Sequence, residues 1–350
     1  MNEEMRALQK NGTWELVPLP HGKKTVGCRW IYTVKLKADG SVERYKARLV
    51  AKGYTQRYGI DYQETFAPLA KIKTIRILLS LAANLDWALH QFDVKNAFLH
   101  GDLEEEVYMD LPPGCNFTRD KGNQVCKLKK SLYGLKQSPR AWFGRFTKSM
   151  KFFGYTQSNA DHTLFLKRDG KKLTALIVYV DDIVVTGNDT GEQLKLQKYL
   201  SQEFEMNDLG DLKYFLGIEV ARSANGICLS QRKYVLDLLA ETGLLGCKPA
   251  DTPIEMNHKL CEGMDQEPTN KEQYQRLSAP GKGLMFSKNR DLEVVGYTDA
   301  DWAGSITDGR STSCYFTFVG GNLVTWRSKK QNVVSRSSAE AVSRNGSWSL

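Results

Sequence analysis

Apolar and polar residues alternate with a period of two along much of this chain, in short runs. From residue 174 to 187 the order is Thr-Ala-Leu-Ile-Val-Tyr-Val-Asp181-Asp182-Ile-Val-Val-Thr-Gly, two apolar β-branched runs flanking an aspartate pair. Runs of this length and composition predict buried strands joined as a hairpin, with the carboxylates at its turn. Residues 29–37 alternate, Ala38-Asp-Gly-Ser41 reads as a turn, and residues 42–50 alternate again, which predicts a second hairpin. Side chains two apart share a strand face. Lys35 and Lys37 therefore share one face of the outgoing strand, and Arg44, Lys46 and Arg48 share one face of the returning strand. Trp30, Tyr32, Val34 and Leu36 take the opposite, apolar face, as do Tyr45, Ala47 and Leu49. Over residues 74–89 the period turns helical, and a short strand follows in which Phe92 and Val94 point one way and Asp93 the other. Ser138-Pro139 predicts a helix start, with Ser138 as N-cap and Pro139 at the first helical position. Its apolar stripe, Trp142, Phe143, Phe146 and Met150, reads most simply as core. Further on, residues 294–304 predict a strand carrying Asp299. Residues 315–326 predict a hairpin with a Gly-Gly-Asn turn, and Ser337-Ser-Ala-Glu340 the start of a capped helix.

Composition narrows the class. A chain of 350 residues that is 41% hydrophobic and 25% charged is globular, with room for two or three domains. Its longest apolar run, residues 173–180, ends at Asp181 and is too short to span a bilayer. The first residues, Met-Asn-Glu-Glu, lack a basic-then-apolar signal pattern, so the expected location is cytoplasmic or nuclear, with no membrane partner. Seven cysteines (Cys28, Cys115, Cys126, Cys228, Cys247, Cys261, Cys314) include no CxxC pair and read as reduced thiols. Five histidines make no zinc pattern.

Charge is unevenly distributed. Residues 1–150 hold 25 Lys and Arg against 15 Asp and Glu, a balance of +10; residues 151–350 hold 24 against 25. A basic excess confined to one half is the footprint of a polyanion-binding surface, and the cationic hairpin face fits a phosphate-contacting role. A second basic stretch, residues 127–148, contains no acidic residue. Within it, residues 134–137 precede the helix start and are suited to meet an anion there.

Two adjacent carboxylates beside a buried sheet repel each other and lose solvation. Hard oxygen ligands of this kind suit Mg²⁺ or Mn²⁺. Asp also favours turns for conformational reasons alone, so the pair needs support from elsewhere. Asp93 offers it, because two-metal phosphoryl transfer needs carboxylates converging from separate elements.

The same residues fall in runs that resemble one family. Asn11-Gly-Thr-Trp-Glu-Leu-Val-Pro18, Arg44-Tyr-Lys-Ala-Arg-Leu-Val-Ala-Lys-Gly-Tyr-Thr-Gln56, Phe92-Asp-Val-Lys-Asn-Ala-Phe-Leu-His-Gly101, Ser131-Leu-Tyr-Gly-Leu-Lys-Gln-Ser-Pro139, Tyr179-Val-Asp-Asp182 and Tyr214-Phe-Leu-Gly-Ile-Glu-Val220 occur in order. They resemble the reverse transcriptase region of copia-type long-terminal-repeat retrotransposons, in the plant style, over nearly all of the first 275 residues. The resemblance implies an α+β right-hand polymerase. Its fingers and N-terminal part would cover residues 1–90 and its palm 91–220. A thumb-like helical segment, internally truncated, would cover 221–277, and a partial ribonuclease H-like α/β domain 278–350. It implies Asp93, Asp181 and Asp182 as catalytic metal ligands for two Mg²⁺ or Mn²⁺ ions. Phe98 matches the steric gate against a ribose 2′ hydroxyl. Arg48, Lys46 and Lys52 match the basic hairpin on the triphosphate, and Gly134 and Lys136 the nucleotide-pocket motif. Tyr214, Phe215, Leu216 and Gly217 match the primer grip, and Lys213 is a candidate general acid. The implied partners are an RNA or DNA template with primer and deoxynucleoside triphosphates, with a dimer or Pol partner as a further option.

Asp299 and Glu340 match the first two carboxylates of the ribonuclease H domain that follows the polymerase in such polyproteins. After Ala341 the family pattern stops, and no later aspartate completes that set, so no ribonuclease H activity is expected. At residues 275–281 a helical connection of the family is missing. Protease and integrase segments are missing too, as in a genomic remnant. Two readings therefore compete: an RNA-directed DNA polymerase, and a catalytically inactive nucleic-acid-binding remnant. An autonomous ribonuclease H is disfavoured.

Overall fold

The computed structural model describes residues 1–37, 41–114, 124–248, 283–305 and 307–343. Those residues divide into two units, one of residues 1–70 and 90–210, the other of residues 71–89 and 211 onward.

In the first unit the β-branched runs build a six-stranded sheet. Its order is β12 (Met206–Asp211), β5 (Ala88–Val94), β11 (Asp182–Gly187), β10 (Lys172–Tyr179), β9 (Leu164–Asp169) and β8 (Thr156–Gln157). One face is covered by α3 (Ser138–Phe152) and α4 (Thr190–Glu203). Trp142, Phe146 and Met150 of α3 and Leu196 and Leu200 of α4 pack on Leu176, Val178, Ile183 and Val185, all buried. Each large apolar side chain buried this way contributes about 1.5–3 kcal/mol, enough to fix the strand register that positions the β10–β11 turn. A second sheet runs β1 (Trp14–Pro18), β7 (Gln124–Lys130), β6 (Asp102–Met109) and β2 (Thr25–Val26), with β2 parallel to β6. Its core takes Leu8 from α1 (Asn2–Lys10) and Leu49 and Ala51 from the neighbouring ribbon.

That ribbon, β3 (Cys28–Leu36) and β4 (Val42–Ala51), is a two-stranded sheet on its own. The register sets Lys35 opposite Arg44, Thr33 opposite Lys46 and Ile31 opposite Arg48, so the cations do share one face. Trp30 pairs with Leu49 at the inner end of the other face, while Tyr32, Val34 and Tyr45 further out are exposed. The Asp39-Gly40 turn lies outside the described residues.

The second unit holds β13 (Tyr214–Phe215), β14 (Ile218–Ser223), β15 (Gly226–Ser230) and β16 (Leu284–Ser287), paired in that order. It also holds a three-stranded sheet of β17 (Val294–Ala300), β18 (Thr312–Val319) and β19 (Asn322–Lys330). The Gly320-Gly321 turn has both residues at positive φ, as a two-residue hairpin turn requires. The helices here are α2 (Ile72–Leu85), α5 (Arg232–Glu241) and α6 (Ser338–Ser343). On α2, Ser80 Oγ donates to the Val319 carbonyl at 2.6 Å, and Asn84 Nδ2 donates to the Gly320 carbonyl at 3.3 Å. Asn322 Nδ2 donates to Ser80 Oγ at 3.0 Å and to the Ser287 carbonyl at 3.1 Å, and its Oδ1 accepts the Ser287 N–H at 2.7 Å.

Three local expectations shift. The helix expected over 74–89 is α2, which stops at Leu85 because Asp86 turns left-handed (φ 56°) and Ala88 already starts β5. Ser138 is the first residue of α3 rather than its cap, since its buried hydroxyl donates to the Leu132 carbonyl at 2.6 Å. Ser337 does cap α6: its Oγ accepts the Glu340 N–H at 3.2 Å, and Glu340 Oε2 accepts the Arg336 N–H at 2.7 Å. Among the described residues Cys28, Cys126, Cys228, Cys247 and Cys314 form no disulfide with one another; Cys115 and Cys261 lie outside them. No helix among the described residues is long and apolar enough to cross a membrane.

Candidate active site

The hairpin that carries the aspartates has a two-residue turn, Val180-Asp181, closed by the Tyr179–Asp182 pair. Val180 has φ 54°, an unfavourable conformation for a β-branched residue. Two contacts hold it there. Trp142 Nε1 donates to the Val180 carbonyl at 2.6 Å, and the Val94 N–H donates to the Asp181 carbonyl at 2.8 Å. The second contact ties the turn to β5 one residue past Asp93. Trp142 thus does more than fill core. The signal was its indole N–H, which must find an acceptor when the ring is buried.

Neighbouring amides orient two of the carboxylates. Asp182 Oδ1 accepts from Gln91 Nε2 at 3.1 Å, and Asp93 Oδ2 accepts from Asn207 Nδ2 at 3.2 Å. Burial pushes the Asp181 carboxyl above the usual carboxylate range; Asp93 adds to this, while Arg48 and Lys46 oppose it. Burial likewise raises Asp182, with the Gln91 hydrogen bond opposing and Asp181 and Asp93 reinforcing. Asp93 thus acts on both Asp181 and Asp182, Asp181 acts on Asp182, and Arg48 and Lys46 act on Asp181. Among the described residues no three His, Cys, Asp or Glu side chains form a ready-made metal cage. The donor set is hard oxygen, and the electrostatic deficit at Asp181 and Asp182 is what a divalent cation relieves.

The cations of the ribbon crowd each other. Burial, then Arg48, Arg44 and Lys35, pull the Lys46 ammonium below its usual range. The Arg48 guanidinium lies over the Tyr133 ring, its central carbon 3.7 Å from the centroid, and its buried Nε has no hydrogen-bond partner among the described residues. Glu4 of α1, itself raised by burial, accepts the Leu49 N–H at 3.4 Å beside them.

Residues 131–137 form the loop entering α3. The Ala51 N–H donates to the Tyr133 carbonyl at 2.8 Å. Gly134 has φ +93°, and a Cβ there would lie 2.1 Å from the Ala51 carbonyl oxygen, so only glycine lets the loop and β4 approach so closely. Lys52 follows β4 and donates its N–H to the Gly27 carbonyl at 2.7 Å. Lys136 Nζ is taken by the Gln56 carbonyl and the Tyr62 hydroxyl, both at 3.2 Å. Phe98 lies in the 3₁₀ turn Ala97–His100, and its ring meets Tyr133 with centroids 4.7 Å apart. In this loop burial pushes the Tyr133 hydroxyl up to about 12, with Arg48 opposing and Asp181, Glu4 and Asp93 adding to it. Sequence reasoning passed Tyr133 over; an aromatic one residue before a close-approach glycine was the available signal.

Within the second unit, Leu216 and Gly217 turn at positive φ between β13 and β14. Phe215 is buried and Tyr214 exposed. Lys213 accepts the Val220 N–H on its carbonyl at 2.8 Å. Asp299 lies on β17, and Glu340 caps α6.

Comparison with known proteins agrees with these motifs. A family description for reverse transcriptase (RNA-dependent DNA polymerase) matches residues 11–256. A retrovirus-related Pol polyprotein from transposon RE1 of Arabidopsis thaliana is 42% identical, over 99% of this chain and 26% of its own length. That from transposon RE2 of the same plant is 41% identical, over 99% and 27%. That from transposon TNT 1-94 of Nicotiana tabacum is 39% identical, over 97% and 30%. The chain thus spans under a third of the length of these relatives. The two Arabidopsis alignments run over 390 positions against a chain of 350 residues, so at least 40 of their positions have no counterpart here. The chain belongs to the reverse transcriptase family, among the copia-type retrotransposon Pol polyproteins, and is by family an RNA-directed DNA polymerase.

Proposed function

We propose that the chain extends a primer on an RNA or DNA template, with a right-hand polymerase arrangement of fingers hairpin, palm sheet and thumb-like segment. The observation that carries this is the raised Asp181–Asp182 pair, coupled to Asp93 and facing a crowded cationic ribbon. Asp93 and Asp181 hold Mg²⁺ or Mn²⁺, with Asp182 as their companion. Such cations, when bound, stabilise charge on the transferring phosphoryl group and favour the ionised primer hydroxyl. The remaining work falls to the chain. Arg48 and Lys46, with Lys52 nearby, neutralise the incoming triphosphate, which also relieves their mutual repulsion. Phe98 closes the space a 2′ hydroxyl would occupy. Trp142 keeps the Val180-Asp181 turn in its strained conformation, so Asp181 needs no reorganisation as charge develops. Gly134 lets the ribbon and the pocket loop act as one piece. Tyr214, Phe215, Leu216 and Gly217 hold the primer. Asp299 and Glu340 correspond to the first two carboxylates of a ribonuclease H-like region, Glu340 being engaged at the N-terminus of α6.

A second reading, a binding-competent but inactive remnant, draws on the 40 or more relative positions with no counterpart. Primer extension on poly(rA)·oligo(dT), with Mg²⁺ and then Mn²⁺, separates the two. A working polymerase extends, and Asp181→Asn cuts the rate on the order of a hundredfold or more, as when a charge-stabilising group is removed. No extension from folded protein that still binds template would leave the remnant reading standing.

A further inference from the structure

Tyr133 is placed unlike its neighbours. It belongs to neither apolar cluster of the first unit and is half-buried. Its hydroxyl has no hydrogen-bond partner among the described residues, so its contacts are made by the ring. One side carries the Arg48 guanidinium at 3.7 Å. The ring also meets Phe98, tilted 59° with centroids 4.7 Å apart. Its carbonyl is fixed by Ala51, and the next residue is the glycine that lets the loop close on β4.

These contacts have separate consequences. An arginine loses considerable rotamer entropy when it binds an anion. Stacking on an aromatic face removes part of that freedom beforehand and orients the donor fork. Arg48 would otherwise be driven off by Lys46 and Arg44 on the same face. A steric gate, in turn, discriminates only if its ring cannot recoil. Phe98 is only partly buried, and Tyr133 is an aromatic wall behind it.

We propose that Tyr133 is a specificity-determining positioning residue, one ring that both orders Arg48 for the nucleotide's phosphates and backs Phe98 against a 2′ hydroxyl. The inference rests on the polymerase reading above and adds to it that phosphate recognition and sugar discrimination share one wall. Tyr133 acts through Arg48 and Phe98 and takes no part in bond making.

Single-nucleotide extension with dUTP and with UTP tests this, because the two differ only by the 2′ hydroxyl. The full chain and its Tyr133→Ala and Tyr133→Phe variants are compared on poly(rA)·oligo(dT). Tyr133→Ala should raise the dUTP KM roughly tenfold, the scale of a lost cation–π contact plus an aromatic contact. Its kcat should stay within about threefold, and the UTP/dUTP ratio of kcat/KM should rise roughly tenfold. Tyr133→Phe keeps the ring face and should restore most of both. A general loss of fold would lower kcat and would not favour UTP. Tyr133→Ala with wild-type KM and ratio overturns the proposal, as does Tyr133→Phe as impaired as Tyr133→Ala. A second measurement needs no extension: dUTP should protect wild type from tryptic cleavage after Arg44, Lys46 and Arg48, and should protect Tyr133→Ala less. If wild type extends nothing, the polymerase reading fails, and protection alone decides. Weaker protection of Tyr133→Ala upholds the ordering of Arg48, the part of the proposal that needs no extension; equal protection, or none in wild type, overturns it.

Discussion

At the scale of single residues, the site is defined by groups held where they are costly. Burial holds the Asp181 and Asp182 carboxyls above the ordinary carboxylate range, with Asp93 adding at both and Asp181 adding at Asp182. A carboxyl with a higher pKa folded than unfolded binds more protons in the folded state, so stability falls as pH rises through that interval. In the absence of divalent cations, Asp181→Asn and Asp182→Asn should therefore melt at higher temperature than wild type at pH 7. The advantage should shrink as the buffer approaches pH 4. Melting curves across that range check it, and a lower Tm for both variants at pH 7 would contradict it. Adding Mg²⁺ should narrow the gap by stabilising wild type alone. The aspartates were legible in the sequence because charge inside an apolar run is conspicuous. Gln91 and Asn207, which orient two of the carboxylates, were not legible: an amide does not announce which distant oxygen it will reach.

At the scale of elements, alternation was a reliable guide wherever one face is buried. The ribbon's basic face follows from period two, since a slip of one residue would turn every side chain to the wrong side, whereas the β10–β11 hairpin follows from two continuous apolar runs buried on both faces. Helix ends were less legible. Ser138 looks like a cap, but the Leu132 carbonyl takes its hydroxyl; Asp86 ends α2 by a backbone turn that no propensity required. The polar network joining α2 to the β18–β19 turn was also hidden, because Ser80 and Asn84 lie far from Asn322 in sequence. Asn322 is buried and satisfies both the N–H and the carbonyl of Ser287. Asn322→Ala strands these groups and should destabilise the second unit by about 2–4 kcal/mol, the cost of leaving buried partners unpaired. Chemical denaturation of the full chain should show it as a lower midpoint, and hydrogen exchange should speed in α2 and β16. An exchange pattern changed only at the 320–321 turn would show the network to be incidental.

At the scale of the whole molecule, the family was legible from motif order, because the runs that build the site are contiguous in sequence even where their contacts are not. The basic excess of the first 150 residues carries its own expectation. Template affinity should fall steeply with salt, and each phosphate contact removed should flatten the logarithmic slope by roughly 0.9 on duplex. Lys35→Gln combined with Arg44→Gln should thus flatten it by up to roughly 2; an unchanged slope would remove the ribbon's outer end from the template surface. The division into two units has a consequence in time. The carboxylate-bearing unit is drawn from residues up to 210, whereas α2, made early, docks on strands that end at residue 330. At ~5–20 residues per second of synthesis, its apolar stripe of Ile75, Leu78 and Leu79 stays without its final partners for roughly 10–50 s on the ribosome. Of all its segments, this helix is the one a nascent chain must keep from aggregating, and the one where a holdase chaperone would be most needed.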